Sequence, residues 1–423
     1  MLSSAWAALG GDPGEPERLA VTGPAATLAS RFPVTDAGVA AVGASLLAAT
    51  LGTSARVGVD TRQLAIALRS ERYLLRHGRS PGSFFDPLSA FHRTADGWIR
   101  LHTNYEWHRA AALRVLGCAE QDVPAAITKR PGLELETAIH EAGGVAAVVR
   151  TDAEWLAAAG TPPPLVERRV LGSAPPRAER RPRVLDLTRV IAGPVATRTL
   201  AAHGADVLRL DPPDHPEIPK QAWETLAGKR SALLDLRDAA TREDLLAGAD
   251  IVVLGYRPGA FDRFGLAPEE LADRHPGLVI VTLSAWGDRG SWGRRRGFDS
   301  LVQAACGIAV AEGGPDAPGA LPAQALDHAT GYLAAAAALI ALDRQRREGG
   351  THHARLALTG TASWLQAGPR AEPAEVPTVD PAPYLGVVGE FTLAFPPGTV
   401  NGRPLGWPDP APAYGAATAG WTP

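Results

Sequence analysis

The chain contains 423 residues, more than one hydrophobic core organises comfortably, so we expect two or three domains. Hydrophobic residues make up 45% and charged residues 21% of the sequence, and this globular balance excludes a wholly disordered chain. The net charge of −3 provides no general basic field. The composition therefore argues against partners that are held by overall charge, namely nucleic acids and anionic membrane surfaces.

Targeting and redox signals point to the cytoplasm. The two cysteines, Cys118 and Cys306, lie far apart in apolar surroundings, which predicts neither a disulfide framework nor a structural zinc site. The segment 1–6 lacks the basic start and the long apolar core of a signal peptide. The longest apolar runs, 331–342 and 37–52, are shorter than the ~20 residues that span a bilayer. We expect a soluble cytoplasmic protein.

The first 170 residues predict a small α+β unit in their second half. Residues 91–101 read as two alternating strands joined by an Asp-Gly turn, which is typical of a β-hairpin. An amphipathic helix is predicted over 108–116, followed by helical segments with short breaks over 121–160. The Pro- and Arg-rich stretch 161–183 is interpreted as a linker.

Beyond residue 183, short apolar runs alternate with helical patterns. This alternation predicts parallel βαβ units and an open α/β sheet, with strands that are covered on both faces. The predicted strands are 184–187, 206–210, 232–236, 251–254, 278–283 and 354–358. The predicted helices are 195–203, after a turn at 192–194, and 239–247, 268–274, 299–311 and 328–344. The fold class is therefore α/β, an open Rossmann-like parallel sheet forming a large domain beside the smaller α+β domain.

One internal similarity is notable. Asp36 begins an Ala-rich helical pattern that is followed by an Ala-Arg strand at 55–59, and Asp327 begins the same arrangement before 354–358. A true duplication and the chance likeness of two Ala-rich helices are both open at this point.

Several residues could carry chemistry. The turn 188–194 follows the first large-domain strand, where α/β folds bind ligands at helix N-termini, but it lacks the G-x-G-x-x-G pattern of dinucleotide sites. Cations at 229–230, 257 and 263 border neighbouring strands and could meet a polyphosphate. Asp327 could simply cap its helix, or it could remain ionised as a nucleophile. His352 and His353 lack the spacing and the acidic neighbours of a metal site, so no metal is expected.

The motifs of residues 183–368 resemble the class III CoA-transferases, the family of formyl-CoA transferase, the carnitine CoA-transferases and α-methylacyl-CoA racemase. The similar motifs occur in a fixed order, and they are VLDLTRVIAGP at 184–194, GADV at 204–207, GKRS at 228–231, DIVV at 250–253, YRPG at 256–259, RFGL at 263–266, RGFD at 296–299 and DHATG at 327–331.

The resemblance implies an acyl-CoA:carboxylate CoA-transferase in which Asp327 is the nucleophile. It also implies a CoA site that is lined by Ile191, Ala192, Lys229, Arg230, Tyr256, Arg263, Phe264 and Phe298. Tyr256 would pack near the adenine, and the cations would meet the phosphates. CoA and acyl-CoA are then substrates, together with carboxylic acids, and no tightly bound cofactor is expected.

Two alternatives remain. The racemases of the family carry a histidine base in a Gly-His-Asp motif, whereas this chain has Phe298 at that position, which favours transfer over racemisation or epimerisation. His328 is a weak substitute because neighbouring helix residues point apart. The second alternative is a non-catalytic acyl-CoA-binding pseudoenzyme, because the order of the segments departs from that of the family.

The departures suggest a degenerate tandem duplication. The hypothesis divides the chain into a partial repeat of the large-domain helix and strand, a small α+β domain, a linker, the CoA-binding large domain and a Pro/Gly-rich return segment. The corresponding boundaries are 1–80, 81–170, 171–183, 184–368 and 369–423. The family forms interlocked homodimers, so we expect either a homodimer or a single-chain pseudo-dimer.

Overall fold

The computed structural model describes residues 1–373 and 375–422. The N-terminal part and the small unit supply six strands and seven helices. In chain order these are α1 (Leu2–Leu9), β1 (Leu19–Thr22), α2 (Val34–Ala49), β2 (Val57–Asp60), α3 (Thr61–Ala67), β3 (Leu75–Arg76), β4 (Phe91–Arg93), β5 (Trp98–Leu101), α4 (Glu106–Leu116), α5 (Val123–Ile127), α6 (Gly132–Glu141), β6 (Ala146–Val148) and α7 (Asp152–Ala159).

The rest of the described chain alternates strands and helices and ends in short strands. These are β7 (Glu167–Gly172), β8 (Arg183–Leu187), α8 (Ala192–Ala202), β9 (Asp206–Asp211), α9 (Pro219–Thr225), β10 (Arg230–Leu233), α10 (Ala239–Gly248), β11 (Ile251–Leu254), α11 (Pro268–Arg274), β12 (Val279–Ser284), α12 (Asp299–Ala305), α13 (Ile308–Gly313), α14 (Ala325–Glu348), β13 (Thr351–Ala357), α15 (Leu358–Gln366), β14 (Leu385–Val388), β15 (Phe391–Ala394), β16 (Thr399–Val400) and β17 (Arg403–Pro404).

The central sheet has seven strands in the order β10-β9-β8-β11-β12-β13-β7. All are parallel except β7, which pairs antiparallel with β13. The α/β fold class is confirmed, and the strand order reverses between β8 and β11. In open α/β sheets a ligand crevice forms at such a reversal, outside the carboxyl ends of the strands.

Both faces of the sheet are covered by apolar clusters, because alternate residues of each strand point to opposite faces. Val184, Val253 and Val281 belong to one apolar cluster, whereas their neighbours Leu185 and Val252 belong to the cluster on the opposite face. The first cluster also contains apolar residues of α1, α2 and α14. The N-terminal segment therefore shares the core of the large domain and does not form a core of its own.

Helix α14 lies at the centre of this core. It contacts both α2 and α8. By length and composition alone α14 could cross a membrane, but 94% of its most apolar window is buried inside the protein. A long apolar helix enclosed by other elements is the ordinary pattern of a core helix.

The two similar segments seen in the sequence have the same local structure. Asp36 and Asp327 are each the third residue of their helices, α2 and α14. Helix α2 lies between the parallel strands β1 and β2, and α14, which follows α12 and α13, lies between the parallel strands β12 and β13. In both cases the second strand leads directly into a further helix. The structure thus places the two similar helices against each other within one chain.

The expected linker over 161–183 is wrong for residues 167–172, which form β7 at the edge of the large sheet. Its pairing with β13 could not be read from a Pro- and Arg-rich sequence, because the exposed side chains of an edge strand show no apolar run. Two further differences are small. Strand β10 overlaps the expected strand 232–236 but starts and ends earlier, at Arg230 and Leu233. The expected helix 299–311 is interrupted at Gly307, whose φ is +89°.

The small unit is built on the expected hairpin. Strands β4, β5 and β6 form an antiparallel sheet with its own apolar cluster, which includes Ile99, Leu101 and Ile139. The C-terminal segment contributes to two sheets: β15 pairs with both β14 and β3, and residues after Tyr414 run along β10, where Ala416 forms a bridge with Ala232. The open edge of β10 is therefore covered.

The close approach of α14 and α8 generates a test. A Cβ at Gly331 would lie 2.6 Å from the carbonyl oxygen of Ala192 and 2.8 Å from Val195 Cβ. Alanine normally improves a helix by ~1 kcal/mol relative to glycine, but here we expect Gly331→Ala to lower the free energy of unfolding by about 1–3 kcal/mol through overpacking. Urea denaturation measures the change.

The matched control is Gly172→Ala, because a Cβ at that position meets no atom within 4 Å. It should leave the free energy of unfolding nearly unchanged. A Gly331→Ala protein that is more stable than the unchanged chain would contradict the packing described for α14 and α8.

Candidate functional site

Asp299 fixes the start of the helix that carries Asp327. Helix α14 begins at Ala325, and the Asp327 N–H donates a hydrogen bond of 2.8 Å to Asp299 Oδ2. Gln303, one turn further along α12, donates from Nε2 to the other Asp299 oxygen and accepts a bond of 2.8 Å from the Leu321 N–H. Asp299 therefore caps α14 from a different helix and sets the position of the neighbouring carboxylate.

The Asp327 carboxylate has no such partner. The side chain is buried, with 6% of the residue exposed, and the described part of the chain offers its oxygens no hydrogen-bond donor. Burial raises the pKa of Asp327 well above its ordinary value, and the Asp299 charge raises it further. Burial also raises the pKa of Asp299 to about 6. The two carboxyl groups thus favour holding a proton between them.

Two expectations for Asp327 are corrected here. Gln324, not Asp327, occupies the N-cap position of α14, and the backbone capping is supplied by Asp299. The favourable field of the helix N-terminus does not keep the Asp327 pKa near its ordinary value, because desolvation and a like charge outweigh it. An unpartnered carboxylate at a fixed position is nevertheless suited to act as a nucleophile once it has lost its proton.

Phe298 lies where the small unit meets the large domain. The His102 ring stacks on Phe298 with a centroid distance of 3.6 Å and an interplanar angle of 5°, and the His108 ring meets it edge-on at 5.8 Å. Burial lowers the pKa of both histidines to about 3, so both rings are neutral at pH 7. Neither histidine was among the expected site residues. Their contact with Phe298 depends on how two units dock, for which the sequence carries no local signal.

A second junction forms at the crevice between β8 and β11. Arg189 lies 3.7 Å from Glu217 Oε1, and its guanidinium carbon lies 4.9 Å from the centre of the Tyr105 ring. The Tyr105 hydroxyl donates a bond of 2.6 Å to the same Glu217 oxygen. Glu217 also accepts from the Val190 N–H at 3.0 Å. Arg189, which was not among the expected site residues, therefore connects the crevice to the small unit.

The loop between β8 and α8 is held in an unusual conformation. Val190 has a φ of +69°, which is a strained backbone region for a β-branched residue. Ile191 and Ala192 follow at the start of α8 and are 8% and 7% exposed. The Glu217 carboxylate and the Gln221 amide fix the Val190 peptide groups. The helix N-terminus is thus presented at the crevice by a rigid loop.

Tyr256 lies at the same edge of the sheet, directly after β11. Burial raises the pKa of Tyr256, and Arg189 opposes this shift. Its ring packs on Phe261 with a centroid distance of 4.6 Å. Arg263 is exposed and lies over the Phe264 ring at 4.6 Å, while Phe264 itself packs against an apolar cluster beneath the sheet. Of the expected CoA-site residues, Ile191, Ala192 and Tyr256 thus adjoin the crevice.

Lys229 does not fit the expected contact with phosphate. Its side chain is fully enclosed, and the ammonium donates to Asp186 Oδ2 at 3.0 Å, to the Pro194 carbonyl at 3.0 Å and to Thr197 Oγ1 at 2.6 Å. All three of its protons are used, so none is free for a ligand. Lys229 instead connects β8 to α8 from inside the sheet.

Arg230 is also engaged within the protein. Arg230 is the first residue of β10 and lies opposite Leu208 of β9. Its guanidinium pairs with both oxygens of Asp206, each at 3.0 Å. It further donates to the Gly420 carbonyl and lies over the Trp421 ring. The three expected cationic segments do not lie at one edge of the sheet, because 229–230 stand at the start of β10, whereas Arg257 and Arg263 come after the end of β11.

Other candidates lie outside this site. Asp36 is exposed, unlike Asp327. His328 faces the other side of α14, where its pKa, lowered to about 3 chiefly by burial, responds to Arg198 and Glu224. Burial raises the pKa of Cys306 to about 12, in keeping with a packing residue. In the described ranges, 1–373 and 375–422, no group of three or more His, Cys, Asp or Glu residues could hold a metal ion.

Part of the chain is similar to a known protein family. Residues 182–380 match the model of CoA-transferase family III. This part of the chain, a little under half of its length, is therefore similar to that family. The match includes β8 to β13, the crevice, Asp299 and Asp327.

Curated relatives carry CoA-transferase names. The chain is 32% identical over 203 residues to the probable fatty acyl-CoA transferase Rv3272 of Mycobacterium tuberculosis, with 44% of this chain and 51% of the relative covered. It is 32% identical over 191 residues to the succinyl-CoA–D-citramalate CoA-transferase of Chloroflexus aurantiacus, covering 41% and 48%. The chain spans about half the length of these relatives.

Solved structures include similar proteins. A crystal structure of Rv3272 from M. tuberculosis is 31% identical with a TM-score of 0.41, covering 46% of this chain and 58% of that one. A CAIB/BAIF family protein from Brucella suis is 26% identical with a TM-score of 0.40, covering 51% and 64%.

The buried carboxyl group predicts a pH-dependent gain in stability. The folded-state pKa of Asp327 is raised above its unfolded value, so the unchanged chain loses stability as pH rises from about 4 through the folded-state pKa. Asparagine cannot ionise. We expect Asp327→Asn to raise Tm relative to the unchanged chain by more at pH 8 than at pH 5, as calorimetry would show.

Asp36→Asn is the matched control, because Asp36 occupies the same helix position but is exposed. It should give the same small change at both pH values. An equal effect of Asp327→Asn at pH 5 and pH 8 would mean that the carboxyl group is not desolvated as described.

Proposed function

We propose that the protein is an acyl-CoA:carboxylate CoA-transferase that works through a covalent intermediate on Asp327. The observation that carries this proposal is the buried Asp327 carboxylate, held beside Asp299 and offered no hydrogen-bond donor by the described residues. A carboxylate left unpartnered in the interior is costly. Asp327 also lies within the region that matches the CoA-transferase family. This position supports a catalytic role, as a covalent nucleophile, for a carboxylate whose burial is unfavourable for stability.

The proposed reaction consists of four exchanges that balance without an oxidant or a metal. An Asp327 oxygen attacks the acyl-CoA thioester, which gives an acyl-aspartyl anhydride and CoA thiolate. The thiolate attacks the aspartyl carbonyl, which gives an aspartyl-CoA thioester and releases the donor acid. An acceptor carboxylate attacks that thioester and expels the thiolate, which then attacks the new acyl carbonyl. Asp327 is regenerated, and the CoA thiolate expelled in the first and third exchanges is the nucleophile of the second and fourth.

The Asp299–Asp327 pair prepares the first step. The nucleophile must be ionised, and the charge of Asp299 opposes this ionisation while raising the basicity of the Asp327 carboxylate. A more basic carboxylate is the stronger nucleophile. The hydrogen bond of 2.8 Å from the Asp327 N–H to Asp299 fixes the position of the attacking residue. Little entropy is therefore lost in orienting the nucleophile when the thioester binds.

For the CoA moiety we propose the crevice between β8 and β11. The start of α8 at Ile191 and Ala192 would approach the nucleotide with backbone N–H groups, and Tyr256 would pack against the adenine. Arg263 is exposed and can meet a phosphate. Arg189 supplies a further positive charge at this edge, whereas the enclosed Lys229 and the paired Arg230 are excluded from the proposed contacts.

We also propose that one chain contains a pseudo-dimer, with α2 standing where a second copy of α14 would pack. The shared order of strand, helix, parallel strand and helix supports this proposal. Sedimentation at the mass of one chain would agree with it, and an obligate dimer would oppose it. Asp36 is exposed, whereas Asp327 is buried, and we propose no catalytic role for Asp36.

Hydroxylamine trapping tests the covalent step. We expect a panel of acyl-CoA thioesters, including acetyl-, succinyl- and palmitoyl-CoA, to release CoA in the presence of hydroxylamine and to leave a hydroxamate on Asp327, identified by peptide mass spectrometry. Asp327→Asn should abolish the hydroxamate and reduce transfer by at least about 10³-fold, as for removal of a covalent nucleophile. Asp36→Asn should retain both.

The outcomes separate the candidate functions. CoA binding without any modification of Asp327 would support a non-catalytic acyl-CoA-binding protein. Deuterium uptake at the substrate α-carbon without exchange of CoA would support a racemase, despite Phe298. Transfer by the Asp327→Asn protein at the full rate would refute the proposal.

A further inference from the structure

Strand β5 brings polar side chains from the small unit to the Asp299 side of the site. Ile99 and Leu101 are buried in the core of the small unit. Because alternate residues of a strand point to opposite faces, Arg100 and the following His102 lie on the other face. His102 stacks on Phe298, which immediately precedes Asp299, and β5 contacts α12.

Arg100 has no polar partner among the residues that the structure describes. None of the described residues accepts a hydrogen bond from its guanidinium or places a carboxylate within ion-pair distance of it, and its Nε is enclosed and unpartnered. Its guanidinium carbon lies 4.7 Å from the centre of the Phe91 ring. Buried arginines nearby differ: Arg150 pairs with Glu136 at 2.6 Å, and Arg198 pairs with Glu224.

An unpaired, half-buried guanidinium is unfavourable unless a ligand completes it. Burial lowers the pKa of Arg100 to about 10, so the group is still charged at pH 7. The carboxylate that acts on this charge is Asp299, whereas the groups that act on Arg189 are Tyr105, Glu217 and Tyr256. Arg100 therefore belongs electrostatically to the Asp299–Asp327 side of the site and not to the crevice.

The proposed reaction requires a carboxylate to approach two other carboxyl groups. An acceptor acid that attacks an aspartyl-CoA thioester must come close to Asp327 and Asp299, and like charges oppose this approach. A fixed cation whose donors are unused offsets that repulsion. Arginine is particularly suited, because its planar fork matches both oxygens of a carboxylate.

We propose that Arg100 binds the carboxylate of the acceptor acid and so determines the affinity of the protein for that substrate. This inference rests on the proposed function. The acceptor carboxylate lies against the guanidinium while one of its oxygens attacks the aspartyl-CoA carbonyl; the C–S bond breaks and the CoA thiolate leaves. The neutral rings of His102 and His108, each with an unpartnered Nδ1, form the polar wall next to it.

Acceptor saturation curves test this role. With acetyl-CoA as donor and oxalate, succinate and D-citramalate as acceptors, we expect Arg100→Gln to raise the acceptor KM by at least tenfold, with the acetyl-CoA KM and the hydroxylamine half-reaction unchanged. Arg100→Lys keeps the charge but not the fork, and should give an intermediate KM. Added guanidinium ion should partly restore the affinity of the Arg100→Gln protein.

A second measurement does not depend on turnover. Oxalate or succinate should protect Asp327 of the unchanged chain from carbodiimide modification, and at least tenfold more acid should be needed in Arg100→Gln. Arg93→Gln is the matched control, since Arg93 lies on the neighbouring strand β4, is exposed and contacts the Trp98 ring at 5.4 Å. It should change neither readout.

The two proposals fail in different ways. An unchanged acceptor KM and unchanged protection in a folded Arg100→Gln protein would overturn the role of Arg100 and leave the covalent mechanism intact. A loss of the hydroxylamine half-reaction equal to the loss of transfer would likewise overturn it, because Arg100 would then act on the donor step. Absence of any hydroxamate in the unchanged chain would refute the proposed function itself.

Discussion

The hydrogen bond from the Asp327 N–H to the Asp299 carboxylate is the interaction on which the candidate site depends. It joins the first turn of α14 to the first turn of α12. One carboxylate thereby satisfies the open end of a long core helix and places a like charge beside a second carboxylate. Capping stabilises the fold, whereas the repulsion and the burial destabilise the ionised form of Asp327. The same contact thus stabilises the start of α14 and makes ionisation of Asp327 less favourable.

The remaining architecture encloses this contact from three directions. Helices α2 and α8 flank α14, and the small unit covers the side on which Phe298, His102 and His108 meet. The small unit is also attached at the crevice through the Tyr105–Glu217 hydrogen bond. Segments from widely separated parts of the chain therefore exclude water from the two carboxyl groups. This exclusion strengthens the electrostatic interactions inside the site.

The sequence was sufficient for the elements whose signal is local. The apolar runs of β8, β11 and β12 and the Asp-Gly hairpin were predicted within one or two residues. Asp327 was selected through its motif, and its catalytic role stays a prediction. The polar assignments were less successful, because Lys229 and Arg230 satisfy internal carboxylates that are remote in sequence. Charge alone does not distinguish a ligand contact from an interior ion pair.

The missed features share one physical reason: each depends on a contact between distant segments. The edge strand β7 is defined by its pairing with β13 and not by a pattern of its own. Burial among several segments raises the pKa of Asp327, and Asp299 raises it further. The positions of His102 and Arg100 depend on the contact of β5 with α12. No local periodicity or propensity encodes such contacts.

Borohydride reduction in the presence of acyl-CoA tests the central claim most directly. An aspartyl-CoA thioester is reduced to homoserine, whereas a free aspartate is not. The account predicts that peptide mapping finds homoserine at position 327, and only after incubation with an acyl-CoA that the protein uses. Homoserine at another acidic residue, or none while acyl-CoA is being consumed, would contradict a covalent role for the carboxylate that Asp299 holds in place.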